Sequence, residues 1–329
     1  MLRVFSGIQP TGVIHVGNYV GAIRQWAELQ RDYESYFCIV DMHAITEPYE
    51  PSEFPQRVLD VAAANVAAGI DPAQSVLFVQ SHVPGHCELM WLLNVITPAG
   101  QLERMTQYKE KARQFKKTGV MAGLLNYPVL QAADVLLYKA SLVPVGEDQI
   151  QHVELMRDIA ERFNKTFGDT FPLPEVRLTK GARIVSLTDP TKKMSKSIPG
   201  SYIALVEDPE DIRKKVRSAV TDPGPPAMGA KLDDASPGVA NLFTLLEAFA
   251  PDRYPEFVDA YQAGTIRYSE MKQVLADAMV DRFAPVRQRY QQLTRNPDEV
   301  RDILADGARR ARPVAQATME EVRKKMGLR

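Results

Sequence analysis

Two lysines, Lys193 and Lys196, stand three residues apart in Lys193-Met194-Ser195-Lys196-Ser197, within a loop opened by Asp189-Pro190-Thr191. Paired ammonium groups on a segment of this kind can close over a polyphosphate and neutralise its oxygens. A second candidate lies near the start, where Phe5-Ser6-Gly7-Ile8-Gln9-Pro10-Thr11-Gly12 runs on to His15-Val16-Gly17-Asn18. The extended apolar residues Leu2, Val4 and Phe5 give way to a Gly/Pro turn, and helical spacing then sets Val16, Val20, Ile23 and Ala27 on one face. A helix entered in this way is expected to aim unpaired backbone N–H groups at the crevice above the strand. His15 and Asn18 can donate to phosphate oxygens, and Gly17 and Gly21 allow a ligand or a neighbouring strand to come close. Taken alone, the turn fits an ordinary first strand–helix unit with a hydrogen-bonded histidine equally well, and a lysine-rich loop alone is usually just solvated.

A third constellation is Asn126-Tyr127-Pro128-Val129-Leu130-Gln131-Ala132-Ala133-Asp134. With Pro128 in the first turn of a helix, Tyr127, Gln131, Asp134 and Tyr138 fall at i, i+4, i+7 and i+11. One face then carries a phenol, an amide and a carboxylate amid Ala and Leu. A buried carboxylate needs donors, so this face reads as a pocket wall, the alternative being exposure to solvent.

These groups must be positioned by alternating strands and helices. After the first strand and helix, 35–41 is a continuous β-prone run, the pattern of a strand buried on both faces. It leads to Met42-His43-Ala44, at the strand end where open α/β sheets bind ligands. An amphipathic helix is expected over about 51–68, a third strand at 75–80, a fourth at 141–145 ending in Gly146-Glu147-Asp148-Gln149, and a fifth at 183–187. The alternation predicts a Rossmann-type doubly wound parallel sheet. The catalytic domain is expected over 1–200, with a helical insertion at about 85–140. From Asp208 strands disappear, and 201–329 reads as an all-helical second domain. Its helices are placed near 209–219, 239–249, 269–293 and from 298 onward, the last interrupted by Pro313 and packing back on the first domain.

With 329 residues, two structural units are expected. The net charge of −1 confines nucleic-acid binding to local basic patches. Cys38 and Cys87 alone exclude a disulfide framework and a four-cysteine metal site, and His82, His86 and Cys87 lack a further ligand nearby, so no metal site is expected. No apolar run is long enough to span a bilayer, and the N-terminus lacks a signal-peptide layout. The expected compartment is the cytoplasm. The apolar segment 88–96 reads as a buried helix or a subunit interface. Over 103–117 six basic residues stand against two acids, most simply a solvated helix face.

The KMSKS pentapeptide, paired with an upstream H-x-G-N turn, resembles the two signatures of class I aminoacyl-tRNA synthetases. The runs 5–12, 146–149 and Ser218-Ala219-Val220-Thr221-Asp222 resemble bacterial tryptophanyl-tRNA synthetases in particular. This resemblance implies an enzyme that activates L-tryptophan with ATP and Mg²⁺ and loads it on tRNA(Trp). It implies a homodimer whose helical second domain reads the anticodon. By resemblance the catalytic residues are Lys193, Lys196, Ser195, His15 and Asn18. Gln9, Pro10, Thr11, Gly17, Asn18, Lys111, Gly146, Glu147, Asp148, Ile184, Lys193, Met194, Ser195, Lys196 and Ser197 would bind ATP. Phe5, Gly7, Gln9, His43, Tyr127, Gln131, Asp134 and Gln149 would bind tryptophan, with Asp134 accepting the indole N–H. Gln131 departs from the family pattern, because many bacterial tryptophan enzymes carry methionine there and tyrosyl enzymes carry a similar Gln-x-x-Asp face. Tyrosine is therefore the alternative substrate.

Overall fold

The structure is a computed structural model describing residues 2–114, 119–178, 184–192, 194 and 200–328. Strand β1 (Arg3–Ile8) passes through the glycine–proline turn into α1 (Val16–Asn18), a π-helical turn (Tyr19–Ile23) and α2 (Arg24–Leu29). There follow β2 (Glu34–Ile39), α3 (Asp41–Ala44), α4 (Phe54–Ala67) and β3 (Val76–Val79). Four helices, α5 (Gly85–Ile96), α6 (Ala99–Glu103), α7 (Thr106–Gln114) and α8 (Ala122–Leu137), precede β4 (Leu142–Val145), α9 (Ile150–Phe167) and β5 (Glu175–Leu178). Beyond lie α10 (Pro209–Ser218), α11 (Pro237–Phe249), α12 (Tyr254–Gln262), α13 (Tyr268–Arg295) and α14 (Pro297–Lys325).

The five strands are parallel in the order β3-β2-β1-β4-β5, as a doubly wound α/β fold requires. The chain steps outward from β1 to β3, then returns past β1 to build β4 and β5. That reversal opens a crevice beyond the carboxyl ends of β1 and β4. Alternate residues feed two cores, because strand side chains point to opposite faces with a period of two. Phe37, Ile39, Leu77 and Val79 pack with α4, α11 and α13 on one face. Tyr36, Cys38, Val76 and Phe78 pack with α5, α8 and α9 on the other.

Helix α14 crosses between these layers. Val300 and Leu304 belong to the first core, whereas Ala308, Ala311, Ala315 and Met319 belong to the second. At the crossing point, Gly307 lies so close to the edge strand that a Cβ there would collide with the Leu77 carbonyl. Arg310 donates to the Pro72 carbonyl at 2.7 Å and Arg312 to the His82 carbonyl at 3.1 Å, on either side of β3. An open strand edge invites pairing with other chains, and here α14 covers it.

Several expectations need correcting. The fifth strand is Glu175–Leu178, paired with β4, and not 183–187, of which Arg183 lies outside the described residues. Val185 instead exchanges backbone hydrogen bonds with the Asn241 side chain, giving to Oδ1 at 2.9 Å and taking from Nδ2 at 3.2 Å. Pro128 sits inside α8, which begins six residues earlier than a first-turn proline implies, and Pro313 lies within an unbroken α14. Helix α12 was not anticipated. The N-cap reading of Asp208 holds, its carboxylate accepting from the Glu210 N–H at 2.9 Å.

Candidate active site

Phe5, Gly7, Gln9, His43, Tyr127, Gln131, Asp134 and Gln149 line one cavity of about 330 Å³ at the strand-order reversal. Each arrives from an element that ends or passes there: β1 and its exit, α3, one face of α8, and the turn after β4. Gly7 must be glycine for this packing, since a Cβ would stand 2.8 Å from Val40 Cγ1. Gly21, Val40, Trp26 and Val143 supply apolar walls.

The floor is Asp134, 1% exposed. Its Oδ1 accepts from Gln80 Nε2 at 2.7 Å and from His86 Nδ1 at 2.7 Å, and its Oδ2 lies 2.8 Å from His43 Nε2. Burial by itself would raise the carboxyl's pKa, but the flanking His43 and His86 win and hold it well below the usual carboxylate range. A carboxylate has about four lone-pair directions. With both on Oδ1 filled and one on Oδ2 used, a single acceptor position is left for a donor from the cavity.

Above this floor, Tyr127 and His152 form a second pair, 3.0 Å from Oη to Nε2. Burial pushes the Tyr127 phenol up to about 12. Burial takes His152 down to about 4, with Asp148 opposing the shift and His43 and Lys111 adding to it. A neutral His152 and a protonated Tyr127 give this wall hydrogen-bonding capacity without charge. Gln131 Nε2 reaches Gln149 Oε1 at 3.4 Å. Lys111 also lines the cavity, with Nζ bonded to Glu47 at 2.6 Å and 5.9 Å from the Tyr127 ring centroid.

The residues expected to bind ATP form a more open arc. Gln9 and Gly146 line the cavity mouth. Thr11, Glu147 and Asp148 are exposed, Pro10 is buried, and Gln149 Nε2 donates to Asp148 at 3.1 Å. The His15–Asn18 turn does not offer a row of unpaired N–H groups. Val16 N–H donates to Ile203, Asn18 N–H to the His15 carbonyl, and His15 N–H to Asn18 Oδ1 at 3.1 Å. The strap 203–205 runs antiparallel to the turn through the His15–Ala204 bridge, accepting from Val16 N–H at the Ile203 carbonyl and donating from Leu205 N–H to the Ile14 carbonyl. Gly17 lies under the His15 ring, where a Cβ would stand 3.0 Å from Cε1 and 3.9 Å from Ile184 Cβ. Ile184 and Met194 are buried in the same core as α1. Lys193, Ser195, Lys196 and Ser197 lie outside the described residues.

Sequence reasoning missed Gln80, His86 and His152. For His152 a signal existed, since it follows Gln149 by three residues and so shares its helical face. Gln80 and His86 approach from other elements, and no spacing reveals them. Among the described residues no group of three His, Cys, Asp or Glu side chains is placed to hold a metal ion.

A family model described as tRNA synthetases class I (W and Y) matches residues 1–284, and the chain belongs to this family. It is 47% identical over 332 residues to a tryptophan–tRNA ligase of Caldanaerobacter subterraneus subsp. tengcongensis, covering 100% of this chain and 99% of that one. It is 46% identical to the tryptophan–tRNA ligase of Bacillus subtilis, covering 99% and 97%. The tryptophanyl-tRNA synthetase of Campylobacter jejuni, solved with ADP and tryptophan, superposes with a TM-score of 0.84 at 36% identity over 99% of this chain and 100% of that one. A tyrosyl-tRNA synthetase from Aeropyrum pernix shares the fold, with a TM-score of 0.71 at 20% identity over 93% and 89%.

Proposed function

We infer that this chain is a tryptophan–tRNA ligase. The observation that carries the reading is one cavity that gathers eight residues from four stretches of chain around a buried, ionised Asp134. An indole has one polar handle, an N–H donor, and the one acceptor position left on Oδ2 complements it. A site built to hydrogen-bond its substrate rejects analogues lacking that group by roughly 10⁴–10⁵.

In the first step the tryptophan carboxylate attacks the α-phosphorus of ATP, and the bond to the β-phosphate breaks to release pyrophosphate. In the second, the terminal ribose hydroxyl of tRNA(Trp) attacks the adenylate carbonyl and AMP departs. The carboxylate is already a nucleophile, so both steps depend on alignment and charge stabilisation. Asp134 and His43 orient the ring, while Tyr127, Gln131 and Gln149 face the amino-acid end. Gln9, Thr11, His15, Gly17 and Asn18 hold the triphosphate, Lys193 and Lys196 neutralise the departing pyrophosphate, and Mg²⁺ arrives on the ATP phosphates. Residues 201–329 are assigned to anticodon recognition. The outer face of α5, with Trp91 67% and Val95 66% exposed, supports a homodimer. No helix among the described residues is long and apolar enough to cross a membrane, which is compatible with a cytoplasmic enzyme.

The test is ATP–pyrophosphate exchange without tRNA, comparing tryptophan with tyrosine. Exchange with tryptophan alone is expected. Exchange with tyrosine would transfer the specificity to the Gln131–Asp134 face, and exchange with neither would overturn the activity.

A further inference from the structure

Two buried side chains that do not line the cavity control the group that does. His86 is wholly buried, with Nδ1 2.7 Å from Asp134 Oδ1 and Nε2 2.9 Å from Tyr138 Oη. Asp134 is ionised and can only accept, so Nδ1 must carry a proton. Among the described residues the group that Nε2 meets is the Tyr138 hydroxyl, and in the neutral tautomer with its proton on Nδ1 that hydroxyl donates to it. Tyr138 is itself fixed as a flat wedge. Its ring stacks on Phe5 at 5.6 Å and 11° and on Tyr36 at 4.6 Å and 24°. It is also fully buried, one helical turn beyond Asp134 at the end of α8.

We propose that Tyr138 and His86 are positioning residues for substrate choice: the Tyr138 O–H to His86 to Asp134 chain locks the His86 tautomer and turns the open lone pair of Oδ2 toward the ring of the bound amino acid. The proposal rests on the reading that the cavity takes tryptophan with its N–H on Asp134. Together with Gln80, the chain saturates Oδ1, so rotation of the carboxylate about its own axis would break two short hydrogen bonds. The acceptor direction is then set before substrate arrives, which is how a second layer of hydrogen bonds makes a polar contact selective.

The experiment compares tryptophan with its benzothienyl analogue, in which sulfur replaces the ring N–H, by pyrophosphate exchange on wild type and Tyr138→Phe. The substitution removes one hydroxyl and keeps the stacked ring. The expected result is a roughly three- to tenfold fall in kcat/KM for tryptophan, mainly in KM, with the analogue and the KM for ATP unchanged. Equal losses for both amino acids, or none for either, would overturn the proposal by reducing Tyr138 to a packing residue. A wild type that does not distinguish the two amino acids would instead overturn the N–H reading of Asp134 beneath it. Should Tyr138→Phe fail to fold, ¹⁵N NMR of the His86 ring in the wild-type protein decides the matter. A proton on Nδ1 and a bare Nε2 are expected, and the opposite tautomer sinks the proposal.

Discussion

The two ends of the candidate site are built on different principles. At the Asp134 end, both carboxylate oxygens are engaged by donors from α3, α5 and the turn after β3, and the assembly is almost completely dry. At the opposite end, Thr11, Glu147 and Asp148 are exposed, and the backbone N–H groups of His15, Val16 and Asn18 are spent on the chain itself. Discrimination between similar amino acids needs an acceptor fixed in advance, because rejection comes from leaving buried polar groups unpaired. A triphosphate carries enough charge to be gripped by groups that arrive with it. Under the proposed function, the difference teaches that selectivity is stored in the folded protein, whereas phosphate stabilisation is assembled during turnover.

Substitutions at each end should break this contrast in characteristic ways. Asp134→Asn presents an amide N–H₂ to neighbours that are themselves donors. It should cost about 3–5 kcal/mol of stability, as breaking a buried charged network does, and chemical denaturation will read it. A loss below about 1 kcal/mol would mean that the network is slack. Lys196→Ala should act almost wholly on turnover, lowering kcat for activation on the order of 10²–10³ with tryptophan affinity unchanged. A near-normal kcat would remove the lysine from the proposed role.

Gly307→Ala tests a region remote from both ends. Its new Cβ meets backbone, so α14 must shift away from β3, and destabilisation of about 1–3 kcal/mol is expected by thermal unfolding. An unchanged melting temperature would show that the crossing is loosely held. The smallest effect is on pH dependence. Burial lowers His152 from 6.5 to about 4, so below pH 6.5 the unfolded chain takes up a proton that the folded one refuses until about pH 4. Above that window the residue contributes no pH dependence. Within it, stability falls with acidity by about 1.4 kcal/mol per pH unit. His152→Phe should flatten this slope in denaturant midpoints measured between pH 6.5 and 4, and parallel curves for variant and wild type would exclude the group as its source.

Much of this architecture was legible in the chain because it depends on local pattern. The β-prone runs at β1 to β4, the Asp208 cap before Pro209 and the 3.6-residue spacing that sets Tyr127, Gln131 and Asp134 on one face are all local signals. What was not legible depends on partners distant in sequence. The Val185 run is more β-prone than Glu175–Leu178, yet the latter pairs with β4 while Asn241 takes up the backbone of Val185. His86 looked like an unused histidine until α5 folded against α8. The π-helical turn at Tyr19–Ile23 and the capture of Val16 N–H by the 203–205 strap likewise have no local signature.

The helix that shields β3 also imposes an order in time. Arg310 meets the Pro72 carbonyl across 238 residues, so during synthesis the strand edge must wait for that whole length of chain to be made. At about 5–20 residues per second, that wait is on the order of ten to fifty seconds. Throughout it the nascent sheet presents an uncovered edge next to other growing chains. β3 is made long before α14, so a chain that stops short of α14 would leave a sticky intermediate in place of a smaller working enzyme.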